Sequence, residues 1–122
     1  MATPITDRIK AIRSEVGEEN LRVIAEYDKS GYEFQYLSEE VDARYSKAEF
    51  DEVFDDLLFD TMRSDVMERR FHGGDYQCSV LSFEEMFVFQ FVRDEFDGLV
   101  VSIERDCTIN LESFIETCAE HT

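Results

Sequence analysis

The strongest constraint on the fold is a pair of alternating runs near the start of the chain. Residues 21–27 and 32–36 place apolar side chains at every second position. This period of two is typical of a strand with one buried face. The four residues between the runs, Asp28-Lys29-Ser30-Gly31, favour a tight turn in which the glycine can take a positive φ. The pattern predicts a hairpin, so the fold contains an antiparallel sheet.

Three further strand-like runs follow in the second half of the chain, at residues 76–83, 86–92 and 99–105. The middle run has phenylalanines on one face and Met86 and Val88 on the other. A strand that is apolar on both faces belongs inside a sheet, so we expect neighbours on both sides of it. Short connections between the runs again favour antiparallel pairing.

Three segments show the helical spacing of apolar residues, at residues 4–16, 47–70 and 109–120. Their predicted N-caps are Thr3, Ser46 and either Thr108 or Asn110. Glu49 completes a capping box with Ser46. The element order is therefore α-β-β-α-β-β-β-α, which predicts a single α+β domain over residues 1–122.

The composition of the chain is strongly acidic. The chain has 29 Asp and Glu against 12 Lys and Arg, a net charge of −17 over 122 residues, yet 43% of its residues are hydrophobic. Such a domain repels itself, and molar salt screens that repulsion. We therefore expect a folded protein adapted to a halophilic cytoplasm. The only local basic cluster is Arg69-Arg70, so nucleic acid is disfavoured as a partner.

The remaining composition favours a cytoplasmic location without a membrane partner. No apolar run approaches the roughly 20 residues that a membrane span requires, and the first residues lack a secretion signal. Cys78, Cys107 and Cys118 are an odd number at irregular spacings. We expect them to be reduced and mostly buried thiols without disulfides.

The order of the elements resembles that of the roadblock domains, which have profilin-like α/β/α architectures. The resemblance implies a five-stranded antiparallel sheet in the order 2-1-5-4-3, with the terminal helices on one face and the middle helix on the other. Roadblock proteins commonly pair edge to edge into homodimers and serve as platforms for other proteins. The chain is also similar to small acidic haloarchaeal proteins in which a His-Gly stretch, here residues 70–74, precedes a strand pair.

Few residues have the chemistry of an active site. His72 lies beside two glycines after the middle helix, where a histidine can titrate, bind a metal or simply end the helix. The weak candidates for metal ligands are His72, Cys78, Cys118 and His121. The sequence has no CxxC pair, no phosphate-binding loop and no paired nucleophile and base. We therefore expect no enzyme activity, no catalytic residue and no cofactor.

The run at residues 76–83 is the predicted edge strand, and residues 77–81 carry no charge. An uncharged edge invites pairing with another strand. We expect a homodimer through this strand and the middle helix beside it. The predicted interface residues are Tyr76, Cys78, Val80 and Leu81. The other edge, at residues 32–38, is the rival surface because of its tyrosines, which we expect to be exposed.

Together these features predict a non-enzymatic interaction or adaptor module that forms a homodimer. The alternative function is that of a regulatory domain that binds a ligand or a metal with His72 and a cysteine. The two hypotheses differ in whether the sheet edge or the His-Gly segment carries the function.

A KCl titration followed by circular dichroism tests the charge argument. We expect loss of structure below about 0.5 M KCl, because the self-repulsion of the carboxylates is then no longer screened over short distances. A chain that stays fully folded in nearly salt-free buffer contradicts this expectation.

Overall fold

Five antiparallel strands form one sheet, and helices pack on both of its faces. The computed structural model describes residues 5–120. The helices are α1 (Ile5–Val16), α2 (Glu39–Arg44), α3 (Lys47–Thr61), α4 (Ser64–Phe71) and α5 (Leu111–Glu120), with a short 3-10 turn at Glu18–Asn20. The strands are β1 (Leu21–Asp28), β2 (Gly31–Leu37), β3 (Cys78–Ser82), β4 (Met86–Asp94) and β5 (Asp97–Glu104).

The strand order is β2-β1-β5-β4-β3, and every neighbouring pair is antiparallel. This confirms the predicted α+β class and the predicted element pattern. The apolar strand β4 lies between β5 and β3, as its two apolar faces required. The first hairpin turns where predicted, with the Ser30 N–H donating to Asp28 Oδ1 at 2.7 Å.

The two terminal helices share one face of the sheet, which we call the terminal-helix face. Phe114 of α5 is fully buried there and lies 4.6 Å from the ring of Phe89, centroid to centroid. The Asn110 side chain caps α5 by accepting from the Ser113 N–H at 2.9 Å. The main buried residues of this core are Ile12, Val16, Leu21, Ile24, Phe89, Phe91, Leu99, Val101, Ile103, Phe114 and Cys118.

Helix α3 packs on the opposite face, against β1, β5 and β4. Its Phe54 and Leu57 meet Ala25, Tyr27 and Val100 of the sheet. The predicted capping box is present, since Ser46 and Glu49 each accept the other's backbone N–H. One helix is narrower than a five-stranded sheet, so this face is covered only in part.

The predicted middle helix over residues 47–70 is interrupted, and this corrects the prediction from sequence. Helix α3 ends at Thr61, and α4 begins at Ser64. Between them the Arg63 N–H donates to the carbonyl of Asp60 at 3.1 Å, a tightened turn. The side chain of Gln90 donates to the Leu57 carbonyl at 2.7 Å, so a group from the sheet enters the last turn of α3.

Several other boundaries also differ from those that the sequence predicts. The strand predicted at residues 76–83 spans only Cys78–Ser82, and the last helix begins at Leu111 instead of residue 109. Helix α2 is an element that the sequence analysis does not predict. The N-cap expected at Thr3 lies outside the described residues.

Gly98 of β5 allows the sheet to pack closely around Tyr27. A Cβ at this buried position would lie 2.6 Å from Tyr27 Cζ and 2.8 Å from the carbonyl oxygen of Phe91. Neither neighbour has room to move, because the tyrosine is buried and the carbonyl belongs to the adjacent strand.

We expect Gly98→Ala to lower the free energy of unfolding by about 1–3 kcal/mol, because the added methyl overpacks the sheet. Gly73→Ala is the matched control, since a Cβ there has nothing within 4 Å. Denaturant titrations at molar KCl measure both. Equal stabilities of the two variants would show that the sheet has room for a methyl group beside Tyr27.

Candidate functional site

Strand β3 is the open edge of the sheet. One side of it pairs with β4, and no other strand within residues 5–120 pairs with its second side. Neither face of the strand is fully covered, since Val80 and Leu81 point to opposite faces and are 41% and 43% exposed. The strand therefore presents an unpaired backbone together with apolar side chains.

The hydrogen-bonding pattern between β3 and β4 determines which backbone groups of β3 face outward. The Phe83 N–H donates to the carbonyl of Met86 at 2.9 Å, and the Val92 N–H donates to the carbonyl of Gln77 at 3.3 Å. Because bonded pairs alternate along an antiparallel ladder, the odd-numbered residues of this stretch face β4. The outward-facing residues are Cys78, Val80 and Ser82.

The predicted interface residues occupy different environments. Val80 and Leu81 lie on the open strand, whereas Cys78 is half-buried and packs against the core of the terminal-helix face. Tyr76 precedes the strand, and its N–H donates to Glu68 Oε1 of α4 at 2.8 Å. Only the residues from Cys78 onward therefore form the strand edge.

The rival edge, β2, is held by side chains from two helices. The Tyr32 hydroxyl donates to Asp51 Oδ1 at 2.5 Å, and this bond raises the pKa of Tyr32 to about 12. Arg8 of α1 donates to Gln35 Oε1 at 2.8 Å. The guanidinium of Arg13 lies 4.8 Å from the centre of the Tyr36 ring. The two tyrosines are half-buried, so the expectation that they are exposed is wrong.

Behind β3, the partly covered face of the sheet forms an apolar groove, which we call the α3 groove. Its volume is about 330 Å³. Helix α3 forms one wall, β3 and β4 lie opposite, and α2 contributes Val41, with Tyr45 just after it. The lining residues are Arg22, Val23, Phe34, Val41, Tyr45, Phe50, Val53, Phe54, Leu57, Leu81, Phe83, Met86, Val88, Val100 and Ser102.

Arg22 is the one charged residue that the described part of the chain contributes to this lining, and it is only 5% exposed. Its Nη1 lies 3.3 Å from Glu104 Oε1, and its buried Nε has no partner among the described residues. A second cavity of about 350 Å³ adjoins the same end of the groove, where Arg22 and Arg44 meet Glu84 and Glu85. The groove is thus apolar along its length with Arg22 at one end, where the adjoining cavity adds Arg44 together with Glu84 and Glu85.

Cys78 and Cys118 lie close enough for their charges to interact, but the described candidate metal ligands do not form a larger cluster. His72 ends α4 in the left-handed conformation, with φ of 53°, and its backbone N–H donates to the Glu68 carbonyl at 3.3 Å. Cys78 and Cys118 lie towards the terminal-helix core, and burial raises the pKa of both thiols. Within residues 5–120 no group of three or more His, Cys, Asp or Glu side chains is placed to hold a metal. His121 lies outside the described residues.

Sequence reasoning missed Arg22 and helix α2 as parts of the groove. The alternation of β1 assigns Arg22 to the polar face, but the pairing of β1 with β5 shifts between Leu21 and Val23 and places Arg22 at a bulge. Helix α2 has a signal in the sequence: Ser38 precedes two glutamates, and its hydroxyl accepts from the Val41 N–H at 3.2 Å.

Comparisons with known proteins identify a family for this chain. In the part of the chain that the structure describes, no helix combines the length and the apolar character needed to cross a membrane. No curated protein matches the chain. A family model described as a domain of unknown function, DUF7522, matches residues 7–122. The chain belongs to the DUF7522 family.

Proposed function

We propose that the protein is a non-enzymatic interaction module that forms a homodimer through the β3 edge. The observation that carries this proposal is an edge strand whose outward N–H and C=O groups have no strand partner within residues 5–120 and whose two faces are covered only in part. Such an edge is a ready template for another strand, and natural proteins normally protect it. The β3 strand of a second copy would protect this edge by pairing its own outward N–H and C=O groups with it.

Antiparallel pairing of two β3 strands is self-complementary. A two-fold axis through Val80 places Cys78 of each copy opposite Ser82 of the other, and the outward backbone groups then meet in pairs. The two sheets become one continuous sheet. Such an isologous contact uses the same patch on both copies and therefore closes at a dimer.

Charge favours this part of the surface over the rest. Two copies with a net charge of −17 each repel one another, but β3 itself carries no charged residue. Paired strands alone bury less than the roughly 1,200 Å² of a stable interface. The exposed apolar side chains around the groove supply further area, with Val53, Leu81 and Phe83 between 41% and 48% exposed.

The acidic composition supports the proposal that this dimer forms at high salt concentration. It fits a halophilic cytoplasm in which molar salt weakens the repulsion between copies. A roadblock-like relation and a haloarchaeal origin fit the same picture, because roadblock domains commonly pair edge to edge. On this interpretation the continuous sheet is a platform for a protein partner.

Val80→Pro tests the dimer. Proline removes the outward N–H of Val80 without removing a bond to β4, and proline is tolerated at such edge positions. We expect the variant to be folded and monomeric. Val80→Thr is the matched control, since it keeps the N–H and the β-branched shape, and it should remain dimeric. Light scattering at molar KCl and high micromolar protein concentration measures the mass.

Two results would contradict the proposal. A wild-type protein that is monomeric under these conditions rules out the homodimer. A Val80→Pro variant that stays dimeric shows that the copies associate through another surface, of which the β2 edge is the next to be tested.

A further inference from the structure

The α3 groove has the size and lining of a small-molecule site. Its volume of about 330 Å³ lies at the lower end of the usual range for such sites. Apolar side chains form nearly all of the lining, and the polar exceptions include Arg22 and Ser102. A few polar groups at defined positions in an apolar cleft orient a ligand more than they hold it.

Arg22 is the group in this lining whose bonding is incomplete. A guanidinium carries five N–H groups. Arg22 is 5% exposed, and its side chain's one partner among the described residues is Glu104, at 3.3 Å from Nη1. Glu104 is itself 34% exposed in its side chain, so it also interacts with water. A second hydrogen-bond acceptor would therefore stabilise the buried guanidinium of Arg22.

A carboxylate is the acceptor that matches a guanidinium best, because its two oxygens fit the planar fork of N–H groups. Arg44 lines the adjoining cavity and adds a second positive charge at the same end. Its ion pairs with Glu40 and Glu85 are 3.4 and 3.8 Å long and exposed, so they hold it weakly. Glu84 and Glu85 line the same cavity, but both are exposed and therefore screened by salt. Arg22 is buried and is screened much less.

The walls of the groove favour a hydrocarbon chain over a peptide. The strands below it, β1, β5 and β4, have partners on both sides, so their backbones offer no bonds to an incoming peptide. A peptide in this apolar space would leave its own N–H and C=O groups unpaired, which is costly. The open backbone of β3 faces outward, away from β4 and the groove floor.

We infer that the α3 groove binds a medium-chain aliphatic carboxylate, with its hydrocarbon chain along α3 and its carboxylate at Arg22. This inference goes beyond the proposed dimer and does not require it. The groove is complete within one chain, and ligand binding and dimer mass are measured separately.

Titrations with decanoate and with 1-decanol at pH 7 test the inference, because the two probes share a chain and differ in the head group. Methyl NMR signals of groove residues such as Leu57, Leu81 and Val88 report the site. We expect decanoate to bind about tenfold more tightly than decanol, the effect of one charge-assisted hydrogen bond. Arg22→Met should reduce that ratio to about one while leaving decanol binding unchanged.

A matched pair of variants tests the position of the chain. Val88→Phe adds a ring to the groove floor and should abolish binding of both probes. Val92→Phe places the same ring on the same strand and face but outside the groove lining, and it should bind like the wild type.

The inference is overturned if decanol binds wild-type protein as tightly as decanoate, or if neither probe shifts the groove methyl signals. It is also overturned if Val88→Phe and Val92→Phe bind the probes alike. Should Arg22→Met fail to fold, the ratio of the two affinities in the wild type still decides the role of the carboxylate.

Discussion

A buried polar cluster between α3 and the sheet determines how the rest of the molecule is arranged. The Tyr27 hydroxyl lies 2.6 Å from Thr61 Oγ1, and the side-chain amide of Gln90 donates to Tyr27 at 2.7 Å and to the Leu57 carbonyl at 2.7 Å. Each of these groups would lose a partner if the helix moved, and an unpaired buried polar group costs about 1–3 kcal/mol. The cluster therefore fixes α3 over β1, β5 and β4, and burial raises the pKa of Tyr27 accordingly.

The α3 groove and the exposure of β3 on the α3 side follow from that placement. A helix fixed over the middle of the sheet cannot also cover β3, so Leu81 stays exposed and a space remains between α3 and the last two strands. On the other face, Val80 also stays exposed. The position of α3 thus explains the groove, whereas the backbone edge of β3 is open because no further strand within residues 5–120 pairs with it.

Local signals in the sequence are sufficient for most of the architecture. The alternation of β1 and β2, the capping box at Ser46 and the double apolar faces of β4 correctly predict their elements, because each depends on neighbours along the chain. The break after Thr61 escapes prediction because the apolar spacing continues through Met62 and Val66, and the contact of Gln90 with the last turn of α3 forms only in the folded sheet. The position of Arg22 escapes it for a similar reason, since a bulge depends on the pairing between strands.

Amide hydrogen exchange at two protein concentrations tests most directly whether β3 is an open edge that a second copy covers. Leu81 and Ser79 donate towards β4, so their amides should exchange slowly at both concentrations. The outward amides of Val80 and Ser82 should exchange rapidly in dilute protein and slow down as the concentration rises. An open edge covered by a second copy is contradicted if the Val80 amide is already protected in dilute protein, or if its exchange does not change with concentration.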